Sequence, residues 1–170
     1  HEGVVRTRVG YAGGTDDDPT YHALGDHTEV FQVDYDPDRL SYEDLLARAF
    51  DGHDPHTQAS KTQYQNVVLT ASETQHEALV AHLDATGRRP ETVETRVEPL
   101  SGFHLAEDYH QKYRLRADAA LVDAFEAAGY DDAAIRESPA AATLNGLAAG
   151  HDIAPDDPLR VALERAPDGA

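Results

Sequence analysis

Three side chains in this sequence have the chemistry for proton transfer or hydroxyl hydrogen bonding at a pocket: Glu29, Tyr21 and Tyr64. Residues 28–35 alternate, so Glu29, Phe31, Val33 and Tyr35 share one face of a strand. If that face is the buried one, the Glu29 carboxylate is poorly solvated, which disfavours the anion. A carboxyl held protonated near neutrality is a general acid. The competing reading is a glutamate at a strand end that bends into solvent, and the pattern alone favours it. Tyr21 follows the turn signal Asp18-Pro19-Thr20, so a loop presents it. Tyr64 opens a strand after a long irregular stretch. Both phenols could aim into a pocket, although strand-end tyrosines more often sit in a core or at its rim.

Ten histidines raise the question of a metal. His22 and His27 lie either side of Gly25, His53 and His56 flank Asp54-Pro55, and His104 and His110 bracket the segment Ala106–Tyr109. None makes the His-Glu-x-x-His spacing of a metalloprotease. There is no Cys, so a thiolate site, a disulfide and a cysteine nucleophile are all outside these residues. We therefore expect no metal. The Gly10, Gly13 and Gly14 spacing makes no dinucleotide fingerprint, and neither a phosphate loop nor a Gly-x-Ser-x-Gly elbow occurs. No cofactor built on those parts is expected.

The elements that must position these residues read in order. A strand covers 4–11 and stops at Gly13-Gly14, and a second covers 28–35 and stops at Asp36-Pro37. Ser41 with Asp44 resembles a capping box and opens a helix whose inner face is Leu45, Leu46, Ala49 and Phe50. Residues 53–63 are irregular, and 64–70 form a strand. Ser72 with Gln75 is a second capping box, opening a helix to about Ala85, and 92–98 form a further strand. Residues 106–114 read as a short helix. Asp118 caps a helix carrying Leu121, Val122 and Phe125, closed by Gly129. Ser138-Pro139 opens another, and Asp157-Pro158 a last one. This order predicts an α+β two-layer sandwich with a mixed β-sheet and flanking helices, a ferredoxin-like core with a helical C-terminal extension. We place the domain at 1–114 and the extension at 115–170.

Length and charge set outer bounds. The 170 residues suit one domain, and 40% of them are apolar, enough for a core. The formal net charge is −18, which disfavours nucleic acid and anionic membranes as partners. No apolar run is long enough to span a bilayer, and no leader precedes the first strand, so a cytoplasmic protein is expected. Lys61 and Lys112 are the sole lysines, and the acids are spread along the chain. Such self-repulsion weakens a fold in dilute buffer and is screened by salt. We read it as an adaptation to a salt-rich cytoplasm. The melting temperature should rise from low to molar salt, and a flat profile would contradict that reading.

Eight segments, taken together, resemble the A-type peptide methionine sulfoxide reductases. They are Val9-Gly10-Tyr11-Ala12-Gly13-Gly14, Asp18-Pro19-Thr20-Tyr21, His27-Thr28-Glu29-Val30, Tyr35-Asp36-Pro37, Ser41-Tyr42-Glu43-Asp44-Leu45-Leu46, His53-Asp54-Pro55, Thr62-Gln63-Tyr64 and Ala106-Glu107-Asp108-Tyr109-His110-Gln111. They fall in the family's order over residues 3–113. The resemblance implies an α+β sandwich that reduces methionine S-sulfoxide, free or in proteins, by thiol chemistry, for protein repair under oxidative stress. It implies no bound cofactor and an external reductant such as thioredoxin or a small thiol. It makes Glu29 the acid that protonates the sulfoxide oxygen, and Tyr21 and Tyr64 the hydroxyls that hold it.

The family's nucleophile lies in a Gly-Cys-Phe-Trp segment, which these residues lack and which we expect upstream of His1. Without it the 170 residues should be inactive as a reductase. The family's Gly-His-Ala-Glu is here Asp26-His27-Thr28-Glu29, and Ala59 stands where the family has a pocket aspartate. The alternative is a non-catalytic relative that binds oxidised methionine or a protein partner.

Overall fold

The computed structural model describes residues 2–88 and 90–152. The helix expected at Asp157-Pro158 lies outside them. Among the described residues there are five strands: β1 (Val4–Ala12), β2 (Thr28–Tyr35), β3 (Val67–Thr70), β4 (Arg96–Pro99) and β5 (Phe103–Leu105). The helices are α1 (Tyr42–Asp51), α2 (Glu73–Ala85), α3 (Tyr113–Arg116), α4 (Ala119–Ala127), α5 (Asp132–Glu137) and α6 (Pro139–Ala148). The chain divides into two compact units, one of Val9–Phe31 and Leu40–Ala106, the other of His1–Arg8, Gln32–Arg39 and Glu107–Ala170.

The strands make two ladders, β2-β1-β5 and β3-β4. β1 and β5 run antiparallel with Gly10 opposite Leu105, whereas β3 and β4 run parallel with Val67 opposite Arg96. A parallel pair needs a crossover, and α2 supplies it between β3 and β4. Gly10 lets β5 come close, since a β-carbon there would stand 2.4 Å from the His104 carbonyl and 2.5 Å from the Phe103 ring.

In the first unit, Leu46 and Phe50 of α1 meet Leu79 and Leu83 of α2, with Val68 and Val97 packed beneath. Two helices thus lie on the β3-β4 pair as one layer on another. The Ser41 box on α1 is reciprocal: its hydroxyl accepts from the Asp44 N–H, and the Asp44 carboxylate accepts from the Ser41 N–H. At α2 the Ser72 hydroxyl accepts from the Gln75 N–H, but the Gln75 side chain reaches back one residue further, to the Ala71 N–H.

In the second unit, Leu115, Phe125, Ile135 and Ala141 join α3 to α6 around one apolar centre. The helix expected over 106–114 is broken in two. A 3₁₀ turn covers Asp108–His110, α3 begins at Tyr113, and Lys112 between them is left-handed with φ 54°. Tertiary contact overrides local preference here: the buried Lys112 ammonium donates to the Thr7 and Arg136 carbonyls. Burial pushes its pKa down to about 8.

Close by, Arg8 grips both oxygens of Glu137 through Nε and Nη2, with Arg6 and Arg136 also paired to it. The Arg8 hydrogen bonds hold the Glu137 carboxyl at about 2, against an ordinary 4.5. A depressed acid stabilises the fold above its unfolded pKa and loses that contribution as pH falls toward the folded value. Stability should therefore fall between about pH 5 and pH 2, and Glu137→Gln should flatten that limb of a melting-temperature profile. An unaltered limb would show that Glu137 is not its source.

Candidate active site

Glu29 is the second residue of β2 and is half-buried. Its face of the strand is not uniformly inward, because Phe31 is 71% exposed. The buried neighbour is Thr28, on the opposite face. Two hydrogen bonds tie this strand start to a 3₁₀ turn of Thr62–Tyr64. Gln63 Nε2 donates to Glu29 Oε1, and Thr28 Oγ1 donates to the Thr62 carbonyl at 2.9 Å. The structure thus brings Glu29 beside the segment that carries Tyr64. Tyr64 closes that turn rather than opening β3, which starts at Val67, and its ring is 54% exposed.

Tyr21 occupies the tip of a tight loop, where Thr20 and Ala23 exchange backbone hydrogen bonds. Its ring is 37% exposed and stands edge-on to His22, centroids 5.3 Å apart. The loop that bears it is closed at its base. The Gly13-Gly14 turn, with Gly13 at φ 77°, brings Thr15 onto Asp26, whose carboxylate accepts from the Thr15 N–H and hydroxyl. The Thr15 bonds hold the Asp26 carboxyl below its usual range.

His27 completes this base. It is buried, its Nε2 donates to the Asp16 carbonyl at 2.8 Å, and its Nδ1 accepts from the Gly14 N–H. His53 serves similarly, with Nδ1 donating to the Ala49 carbonyl and Nε2 accepting from the Thr95 hydroxyl. Among the described residues no group of three or more His, Asp or Glu side chains is placed to hold a metal ion.

Two residues that sequence reasoning did not single out stand in this geometry. Gln63 lies inside the quoted segment Thr62-Gln63-Tyr64, so its place there was the available signal. Arg96 of β4 had none. Its guanidinium donates to Glu98, Gly13, Thr28 and Gln65, which lie far apart in sequence. Separately, in the unit containing α3 to α6, an open cleft of about 430 Å³ is lined by Asp108, Tyr109, Tyr113, Arg116, Ala117 and Asp132.

A half-buried carboxyl, held through one oxygen by an amide and flanked by a hydrogen-bonded turn bearing a phenol, can deliver a proton from its other oxygen. Two solved structures share this fold, the first of them a methionine sulfoxide reductase A. One is that of Corynebacterium diphtheriae (TM-score 0.53, 31% identity, 69% of this chain and 65% of that one). Another is Mxr1 of Saccharomyces cerevisiae in reduced form (TM-score 0.58, 27% identity, 69% of this chain and 74% of that one). The fold is thus an α+β sandwich with a helical C-terminal region.

The family model of peptide methionine sulfoxide reductase matches residues 1–138, and this chain belongs to that family. The match runs past Arg114, through α4 and α5. The chain is similar to the peptide methionine sulfoxide reductase of Drosophila melanogaster, at 40% identity over 153 residues, 87% of this chain. It is also similar to the peptide methionine sulfoxide reductase MsrA of Natronomonas pharaonis, at 41% over 125 residues, 66% of this chain and 70% of that one. The chain spans 60% of the Drosophila protein's length. No helix among the described residues is long and apolar enough to cross a membrane.

Proposed function

We propose that these residues supply the acid and the oxygen-holding hydroxyls of an enzyme that reduces methionine S-sulfoxide, free or in proteins. The observation that carries this is Glu29, tied through Gln63 to the turn that bears Tyr64, in a chain of this family. Gln63 engages one oxygen of Glu29 and leaves the other for substrate. In the proposed reaction a thiolate sulfur attacks the sulfoxide sulfur, and Glu29 passes a proton to the sulfoxide oxygen. The S–O bond breaks as the oxygen, now a hydroxyl, passes to the attacking sulfur and the transient S–S bond opens, so methionine leaves reduced by two electrons and the thiol is left oxidised as a sulfenic acid. A thioredoxin-like protein or small thiol returns it to the thiol. Tyr21 and Tyr64 hold the oxygen through their hydroxyls as its negative charge grows. No residue of the 170 is a cysteine, so the attacking thiol comes from outside them. A salt-rich cytoplasm and a role in repair under oxidative stress fit the charge and the family.

The test is a titration of the chain with N-acetylmethionine S-sulfoxide and with its R epimer, followed by NMR, alongside turnover by the gene's natural product. Saturable preference for the S epimer, with shifts at Tyr21, Glu29 and Tyr64 and with turnover, is the expected result. Binding without turnover would instead favour a module that recognises oxidised methionine. No binding and no turnover would reject both readings.

A further inference from the structure

We propose that Arg96 is the positioning residue of the oxygen pocket, its guanidinium fixing the three segments that bear Tyr21, Glu29 and Tyr64. The inference rests on the reading of those three residues given above. A guanidinium has five N–H donors in a rigid plane. Here all five have an acceptor. Nε and Nη2 grip the two Glu98 oxygens, each at 2.9 Å, which fixes the plane. The second Nη2 hydrogen reaches the Gly13 carbonyl at 3.2 Å. The two Nη1 hydrogens reach Thr28 Oγ1 and Gln65 Oε1, both at 3.1 Å.

Each of the last three acceptors belongs to a different part of the candidate site. Gly13 opens the loop that carries Tyr21, Thr28 precedes Glu29, and Gln65 is the C-cap of the turn that ends in Tyr64. Because Thr28 Oγ1 accepts from Arg96, its own hydrogen is free to go to the Thr62 carbonyl, which also accepts from the Gln65 N–H. Arg96 thus holds the turn from its cap and, through Thr28, from the strand. Such a chain of polarised hydrogen bonds is stronger than its links taken singly.

Arg96→Lys keeps a cation for Glu98 but has three donors on one nitrogen, too few for four residues. Thr28→Val keeps the shape and the Arg96–Glu98 pair, and removes the relay alone, so it decides the matter even where Arg96→Lys fails to fold. The first readout is the Gln63 side-chain amide resonance in the ligand-free chain, which Glu29 shifts. Both variants should move it toward a free amide. The second is N-acetylmethionine sulfoxide binding: both variants should weaken the S epimer about tenfold and narrow its lead over the R epimer. The double variant should be no worse than Arg96→Lys alone.

A merely structural role would lower the melting temperature and leave the amide shift and the epimer ratio in place; that result, or additive losses, would overturn the proposal. Should the unsubstituted chain bind neither epimer, the functional reading fails, while the Gln63 resonance still decides whether Arg96 sets the turn.

Discussion

Replacing Glu29 by Gln, in a reductase that contains these residues and a cysteine nucleophile, should slow sulfoxide reduction about 10²–10⁴-fold, the usual range for losing a general acid. The fold should not change. Gln has the size of Glu, the position is half-buried, and the Gln63 amide can turn its own oxygen toward the new N–H. What the amide cannot do is release a proton to the sulfoxide oxygen as the S–O bond breaks. The loss should therefore fall on kcat, with sulfoxide binding held to within a few-fold. Steady-state kinetics with the S epimer, beside circular dichroism of the same preparation, makes the comparison. Turnover within threefold of the parent would remove Glu29 from the mechanism.

The second large effect is on stability. Phe50→Ala should cost about 3–5 kcal/mol, as truncation of a buried aromatic generally does. Phe50 is 1% exposed, sits among Leu46, Leu79 and Leu83, and has the His53 and His82 rings at 5.6 and 5.9 Å. Truncation would empty the layer between α1 and α2 and the β3-β4 pair. Against a total stability of roughly 5–15 kcal/mol, that is enough to unfold much of the population under mild denaturant. Urea midpoints should decrease from the parent through Phe50→Leu to Phe50→Ala. A loss below about 1 kcal/mol would mean that the layer collapses around the gap.

Sequence reasoning went furthest where signals were local. The alternation of residues 28–35 set both ends of β2, since a period of two is hard to produce by accident over eight residues. Ser41 with Asp44 placed the start of α1, because a capping box is made and read within one turn. It failed where distant residues decide the backbone. Tyr64 looked like the first residue of a strand, yet the turn it closes is anchored by Thr28. The 106–114 helix is interrupted at Lys112, whose partners Thr7 and Arg136 come from β1 and α5. β5 has three residues and owes its existence to pairing with Gly10–Ala12. Glu29 and Tyr64 are singled out by the resemblance, whereas the arginine tied to both their segments is not, because nothing near it in sequence marks its acceptors.

The arginine's reach along the chain has a consequence for assembly. Its partners Gly13, Thr28 and Gln65 lie 83, 68 and 31 positions away. Closing each loop costs entropy that grows with its length, before the three bonds to those partners are gained. The β3-α2-β4 unit, whose contacts are nearer in sequence, can form ahead of them. The hydrogen-bonded cluster around Arg96 is then among the last parts of the molecule to form. A nascent or partly unfolded chain holds these residues without their arrangement, which arrives only with completion of the fold.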